Sequence, residues 1–160
     1  MSRKLDTAGG TLLLKQFLDT VHPPMNETAA RMLNPLQLAY AGDTIHDLFV
    51  RTRLVLRGET VGRMHKRATA YVSAKGQTAI FEAMCDLLTA EEADIARRGR
   101  NAHARHAAPK NADPGDYACA TGLEALWGYL YLSGQNERLQ MLFEMGFTRA
   151  FPEKAAAGKE

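Results

Sequence analysis

Apolar residues recur at spacings of three and four along most of the chain, and runs of β-branched residues are scarce. This spacing is the period of an amphipathic α-helix, whereas a half-buried strand would alternate apolar and polar residues. The segment PLQLAYAGDTIHDLFVRTRLV, which begins at Pro35, keeps the helical spacing over its whole length. The sequence therefore predicts an all-α domain of about seven helices.

Capping residues, glycines and prolines predict where these helices begin and end. Asn34 followed by Pro35 has the form of an N-cap and a first helical position. Thr89 with Glu92 three residues later has the form of a capping box. The segment from Arg100 to Asp113 is predicted to be a loop. The predicted helices cover residues 12–19, 35–55, 61–72, 74–88, 90–99, 115–132 and 137–145.

A chain of 160 residues suits a single domain. We expect residues 1–26 to be an N-terminal extension with a short helix, 27–150 to be the main domain, and 151–160 to be a frayed tail. No apolar run reaches the roughly 18 residues of a membrane span, and no signal-peptide pattern is present. We therefore expect a cytoplasmic protein that does not bind a membrane. Cys85 and Cys119 lack zinc-ligand spacing and are expected to be reduced, mostly buried thiols.

Two carboxylates occupy positions where a charge is costly. Asp43 follows Gly42 in the middle of a predicted helix, where a glycine often marks the close approach of another backbone. Glu124 is surrounded by apolar neighbours and shares a helix face with Thr121 and Gly128. Acids from two helices that meet across such small residues can hold Mg²⁺, which needs few protein ligands. The alternative for each acid alone is a salt bridge or a solvated helix face.

The sequence also offers other acids and histidines near this position. Asp47 lies one turn after Asp43 on the same face, where it could support the metal ligands or be an ordinary exposed acid. The adjacent pair His46-Asp47, with His22, resembles the ligand set of metal-dependent His-Asp phosphohydrolases. That alternative is not favoured, because His22 precedes two prolines and Gly42 would be left unexplained.

Basic residues are clustered although the net charge is only +2. The segment RRGRNAHARHAAPK, from Arg97 to Lys110, contains no acid, which favours contact with a polyanion over a merely solvated loop. His65, Lys66, Arg67 and Lys75 form a weaker second group, for which an ordinary solvated surface is an equal alternative. The candidate phosphate-contacting residues are Arg97, Arg98, Arg100, Asn101, Arg105, Lys110 and Lys75.

Two motifs carry a resemblance to a known family. The stretch LAYAGDTIHDLFVR resembles the ribonuclease III signature, whose Leu-Gly-Asp core carries a metal-binding aspartate. The stretch TGLEALWGYLYLSG resembles the second motif of that family. Together with RRGRNA and PKNAD, they resemble the Mini-ribonuclease III branch, which has a catalytic domain and no double-stranded RNA-binding domain. The resemblance covers residues 34–149 and implies that the main domain is catalytic.

By position, this resemblance implies that Asp43 and Glu124 are Mg²⁺ ligands, with Mn²⁺ able to replace Mg²⁺. They would activate a water and neutralise charge on the scissile phosphate. Leu36, Ala39 and Thr121 stand where the full family pattern has further acids. One ion per site is therefore expected, with Asp47 and Thr121 as supporting residues.

The resemblance further implies a homodimer that cuts double-stranded RNA, namely stems of precursor 23S ribosomal RNA, with a ribosomal protein as a possible helper. The segment RGRNA stands where the family has an RNA-facing loop. Candidate interface residues are Met25, Met32 and Leu33, or Trp127, Tyr129 and Tyr131. For each of them, ordinary packing in the core is the favoured alternative. The alternative is a non-catalytic dimer that binds structured RNA, but retention of both Asp43 and Glu124 favours an enzyme.

Overall fold

The computed structural model describes residues 22–103 and 109–152. Within these ranges the chain is helical and contains no strand, which confirms the predicted all-α class. A 3₁₀ turn, Cys85–Leu87, follows the fourth helix. The helices are α1 (Glu27–Met32), α2 (Pro35–Leu56), α3 (Val61–Val72), α4 (Ala74–Met84), α5 (Ala90–His103), α6 (Pro114–Leu132) and α7 (Asn136–Ala150).

The caps predicted at Asn34 and Thr89 are present, whereas Thr60 makes no side-chain cap bond and Asn136, also predicted as a cap, is the first residue of α7. The Asn34 side chain accepts a hydrogen bond from the Leu36 backbone N–H at 2.9 Å, and Pro35 is the first residue of α2. Thr89 and Glu92 bond each other's backbone N–H reciprocally, at 2.8 and 3.2 Å, as in a capping box. These local bonds fix where α2 and α5 begin.

One helix and two helix ends were predicted wrongly. Helix α1, which Asn26 caps by accepting from the Thr28 N–H, was not predicted. Helix α5 continues past Gly99 to His103, so residues 100–103 are helical and do not belong to a loop. Helix α7 likewise continues past Gly146. Both glycines were interpreted as helix ends, but each one lies against a neighbouring helix. The predicted helix at 12–19 and most of the tail lie outside the described residues.

Helix α6 lies at the centre of the fold and is buried along most of its length. Leu123, Leu126 and Leu130 are fully buried and form the core with residues of the surrounding helices. Trp127 and Tyr129 are also buried, so they pack within the monomer and are not exposed interface residues. Of the described helices, none is both long and apolar enough to cross a membrane. Both cysteines are free, but only Cys119 is buried, whereas Cys85 is exposed.

Helices α2 and α6 cross in backbone contact at Gly42 and Gly128. A Cβ atom built on Gly42 would lie 1.7 Å from the backbone oxygen of Glu124, and one on Gly128 would lie 1.9 Å from that of Leu38. Only glycine allows such an approach, as the small residues on this face predicted. We call this contact the α2–α6 seam.

Candidate active site

The α2–α6 seam brings the two predicted acids to the same place. Asp43 directly follows Gly42 and is exposed. Glu124 is the residue whose backbone lies against Gly42, and it is only partly exposed. The charge of Asp43 acts on Glu124 and contributes to a raised pKa of the Glu124 carboxyl. Of the two acids, one therefore faces solvent and the other stands at the edge of the core.

A third side chain at this site, Gln77, was missed by the sequence analysis. Its Nε2 donates to Glu124 Oε1 at 2.9 Å and to the Val72 backbone oxygen at 3.1 Å. Gln77 is in the first turn of α4 and only 3% exposed. The signal available in the sequence was a polar residue at helical spacing from the buried Ile80 and Met84.

The Glu124 carboxyl has a pKa of about 7, well above its ordinary value. Burial is the main cause, because it removes water from the charged form. The nearby charge of Asp43 raises the pKa further, and the hydrogen bond from Gln77 opposes both effects. The carboxyl therefore changes its protonation state near neutral pH.

The two predicted supporting residues make other contacts. Asp47 Oδ2 accepts from Arg51 Nε at 2.7 Å, one turn further along α2. Thr121 is buried, and its Oγ1 donates to the Tyr117 backbone oxygen within α6 at 3.0 Å. Their support of Asp43 and Glu124 stays a prediction.

The structure argues against the alternative of a His-Asp phosphohydrolase metal site, because His46 is not available as a ligand. His46 is 1% exposed, with Nε2 3.1 Å from the Tyr71 backbone oxygen and Nδ1 accepting from Trp127 Nε1 at 3.3 Å. Burial lowers the pKa of its ring. Because both ring nitrogens are occupied, this histidine is a packed core residue. In residues 22–103 and 109–152, no three His, Cys, Asp or Glu side chains group as a metal site.

Similarity to known proteins shows the family of this chain. Residues 36–135, more than half of the chain, match the family model of the ribonuclease III domain. The chain belongs to the ribonuclease III family. It is therefore an endoribonuclease of the ribonuclease III type, as its two motifs predicted.

Relatives of this ribonuclease include proteins named Mini-ribonuclease 3. The one from Symbiobacterium thermophilum is 51% identical over 113 residues, covering 70% of this chain and 86% of that protein. The one from Enterococcus faecalis is 47% identical over 115 residues, with coverage of 70% and 86%. The crystal structure of protein FN1578 from Fusobacterium nucleatum superposes with a TM-score of 0.64 at 29% identity, covering 71% and 91%. The resemblance to Mini-ribonuclease III is thereby confirmed.

The raised pKa of Glu124 predicts that this ribonuclease is less stable with an ionised site. Below about pH 4.5, the pKa in the unfolded chain, Glu124 does not lower the free energy of unfolding. The loss of stability grows as the pH rises and is complete above about pH 7, the pKa in the folded protein. Without divalent cations, Glu124→Gln should therefore raise the melting temperature above wild type at pH 8 but little at pH 5. For a partly buried carboxyl we expect about 2 kcal/mol at pH 8. If the melting temperatures of Glu124→Gln and wild type differ by the same amount at pH 5 and pH 8, the raised pKa of Glu124 is contradicted.

The candidate RNA-contacting residues of the ribonuclease differ in their exposure and in the contacts of their side chains. Arg97 is exposed and its Nη2 lies 2.5 Å from Asp94 Oδ1. Arg100 is exposed, and its aliphatic stem crosses α6 at Gly122. Lys75 is also exposed, two residues before Gln77 on α4. These side chains have charged ends at the surface, as phosphate contacts require.

Arg98 has a different position from the other arginines. It is half-buried, and its guanidinium donates to the backbone oxygens of Arg31 at 2.6 Å and Leu33 at 3.1 Å. These bonds attach α5 to the end of α1. Asn101 and Lys110 are exposed, and Arg105 lies outside the described residues.

Proposed function

We propose that this ribonuclease is a magnesium-dependent endoribonuclease that cleaves double-stranded RNA, with Asp43 and Glu124 as the metal ligands. The main support is the α2–α6 seam, where Gly42 touches the backbone of Glu124 and the charge of Asp43 reaches the Glu124 carboxyl. The substrate we propose is a stem of precursor 23S ribosomal RNA in the cytoplasm, with a ribosomal protein as a possible aid to presentation.

The residues at the seam fit Mg²⁺. This ion takes one or two carboxylates and keeps several waters, so two acids suffice. An ion held by these two acids would supply Lewis acidity for activating the attacking water and for offsetting charge on the scissile phosphate. Asp43, being exposed, can meet an ion on the solvent side, whereas Glu124 offers the carboxylate oxygen that Gln77 does not occupy.

Cleavage assays with the purified full chain test this function. A duplex RNA should be cut with Mg²⁺ or Mn²⁺ and left intact with a chelator, and either single strand alone should be cut far more slowly. Equal cutting of single strands, or cutting in chelator, would contradict the proposal. Binding of duplex without cutting would support the non-catalytic alternative. Mapping the cuts on precursor 23S stems, with and without ribosomal proteins, tests the proposed substrate.

We propose that the exposed basic residues Arg97 and Arg100 contact RNA phosphates, because duplex RNA is recognised mainly through its backbone and shape. The double change Arg97→Ala and Arg100→Ala should weaken duplex binding about tenfold or more at moderate salt. The slope of log K against log salt should become shallower by about two, roughly one unit for each lost phosphate contact. Filter binding at several salt concentrations measures both effects.

Arg149→Ala provides a matched control for this pair of changes. Arg149 is on α7 and contacts Asp86 at 2.9 Å, so it is also an arginine paired with an acid. Its removal should leave both the affinity and the salt slope close to wild type. Equal losses in the control and the double variant would argue against a specific RNA surface around Arg97.

We also propose that two copies of the chain assemble through the outer face of α2. Tyr40, Leu48 and Val55 lie on that face at spacings of eight and seven, and they are 86%, 51% and 62% exposed. Exposed apolar residues grouped in this way favour a protein interface. Tyr40→Asp should convert a dimer to a monomer in analytical ultracentrifugation. Val61→Asp, at a residue 65% exposed at the start of α3, should not. An unchanged mass for Tyr40→Asp would exclude this face.

A further inference from the structure

The amide of Gln77 has only one orientation that suits its neighbours. Glu124 Oε1 and the Val72 backbone oxygen are both acceptors, so the NH₂ group has to face both of them. A flipped amide would direct its oxygen at two acceptors. In the assigned orientation Gln77 Oε1 is buried and has no hydrogen-bond partner among the described residues. Such a buried group needs an explanation.

The turn between α3 and α4 holds Gln77 in place. Ser73 caps α4 by accepting from the Gly76 N–H at 3.1 Å. A Cβ atom on Gly76 would lie 2.2 Å from the Ala70 backbone oxygen, so the two helices meet almost in contact there. Because the backbone before Gln77 is fixed at both points, its side chain is directed toward Glu124.

Gln77 is the side chain that donates to Glu124 among the described residues. Thr121, one turn earlier on α6, bonds within its own helix instead. A partly buried carboxylate with no donor would protonate or swing toward water. The bond from Gln77 occupies Oε1 and leaves Oε2 available.

We infer that Gln77 is a positioning residue, which holds the Glu124 carboxylate in the rotamer that binds the divalent cation. This inference rests on the proposed function, since it assumes that Glu124 is a ligand. Residues that orient a ligand without touching the ion typically change metal affinity by roughly 10- to 100-fold when they are replaced.

Direct metal binding tests the inference without relying on cleavage. Mn²⁺ is titrated into the full chain, and free ion is followed by electron paramagnetic resonance. Gln77→Met keeps the length of the side chain but removes both donors, and it should weaken Mn²⁺ binding at least about tenfold. In cleavage assays its kcat should fall at fixed Mg²⁺ and recover at high Mg²⁺, while KM for RNA stays near wild type. The kcat of Glu124→Gln should not recover at high Mg²⁺.

Thr78→Val is the matched control, because Thr78 also bonds a backbone oxygen, that of Asp116, at 3.2 Å. It should bind Mn²⁺ like wild type. A folded Gln77→Met that binds Mn²⁺ as wild type does would overturn the inference. If Gln77→Met does not fold, Gln77→Asn, one methylene too short to reach both acceptors, should show the same weakened binding, and normal binding would overturn the inference.

The outcomes also separate this inference from the proposed function. If wild type binds Mn²⁺ more tightly than Gln77→Met but does not cut duplex RNA, the inference stands and the function fails. If Glu124→Gln abolishes cutting but Gln77→Met leaves Mn²⁺ binding and kcat unchanged, the function stands and the inference fails. If wild type binds no Mn²⁺, the metal role of Glu124 fails, and the inference fails with it.

Discussion

Asp43→Asn and Glu124→Gln are each expected to lower the rate of duplex cleavage by roughly a thousandfold, a loss at the upper end of those seen when one stabilising group is removed from an active site. The effect should be this large because no third His, Cys, Asp or Glu side chain among residues 22–103 and 109–152 groups with these two acids as a metal site, so a neighbour is not expected to replace either one. Single-turnover cleavage at saturating Mg²⁺ measures the rate. Both substitutions keep the size of the side chain, so the fold should be preserved.

Affinity for duplex RNA should change little in these variants, and can be measured by filter binding with Ca²⁺ or without divalent ions. The proposed RNA contacts are instead exposed basic residues such as Arg97 and Arg100, which lie on α5. Asp86→Asn is the control, since Asp86 lies in the 3₁₀ turn after α4 and pairs with Arg149, and it should cut at close to the wild-type rate. If either principal variant cuts at the wild-type rate, the assignment of the site is wrong.

The seam could be predicted from sequence because its residues stand out locally. A glycine inside a helix is costly, by about 1 kcal/mol relative to alanine, and a glutamate among apolar residues is costly too. Gly42 therefore indicated a close contact with another helix, and Glu124 indicated a specific partner for its carboxylate. The capping pairs at Asn34 and at Thr89 were equally predictable, since each involves residues only a few positions apart.

Contacts between distant residues could not be predicted in this way. Gly99 and Gly42 are the same residue type inside helices, but Gly99 was interpreted as a helix end because its partner, α6 at Ala125 and Gly122, is not visible in the sequence. Arg98 was predicted as a phosphate contact, and nothing in the sequence indicated that its guanidinium bonds backbone oxygens at the end of α1. Gln77 depends on Glu124, 47 residues away. In each case the role depends on a partner that only the fold supplies.

Gly42→Ala is expected to destabilise the protein more than any other single change proposed. The added Cβ would lie 1.7 Å from the Glu124 backbone oxygen, and this atom belongs to a helix that cannot yield as a side chain can. Helices α2 and α6 would have to separate, which would open the core around α6 and move Asp43 away from Glu124. We expect a loss of about 4 kcal/mol or more in the free energy of unfolding. Gly128→Ala, with 1.9 Å to the Leu38 backbone oxygen, should behave similarly.

Gly62→Ala provides a matched control, because a Cβ at that helical position of α3 would meet nothing within 4 Å. Alanine should there stabilise the helix by up to about 1 kcal/mol. Urea unfolding followed by circular dichroism measures all three variants. If Gly42→Ala were as stable as Gly62→Ala, the backbones of α2 and α6 could not be in contact. Asp43 and Glu124 would then lack the close crossing that makes them a pair.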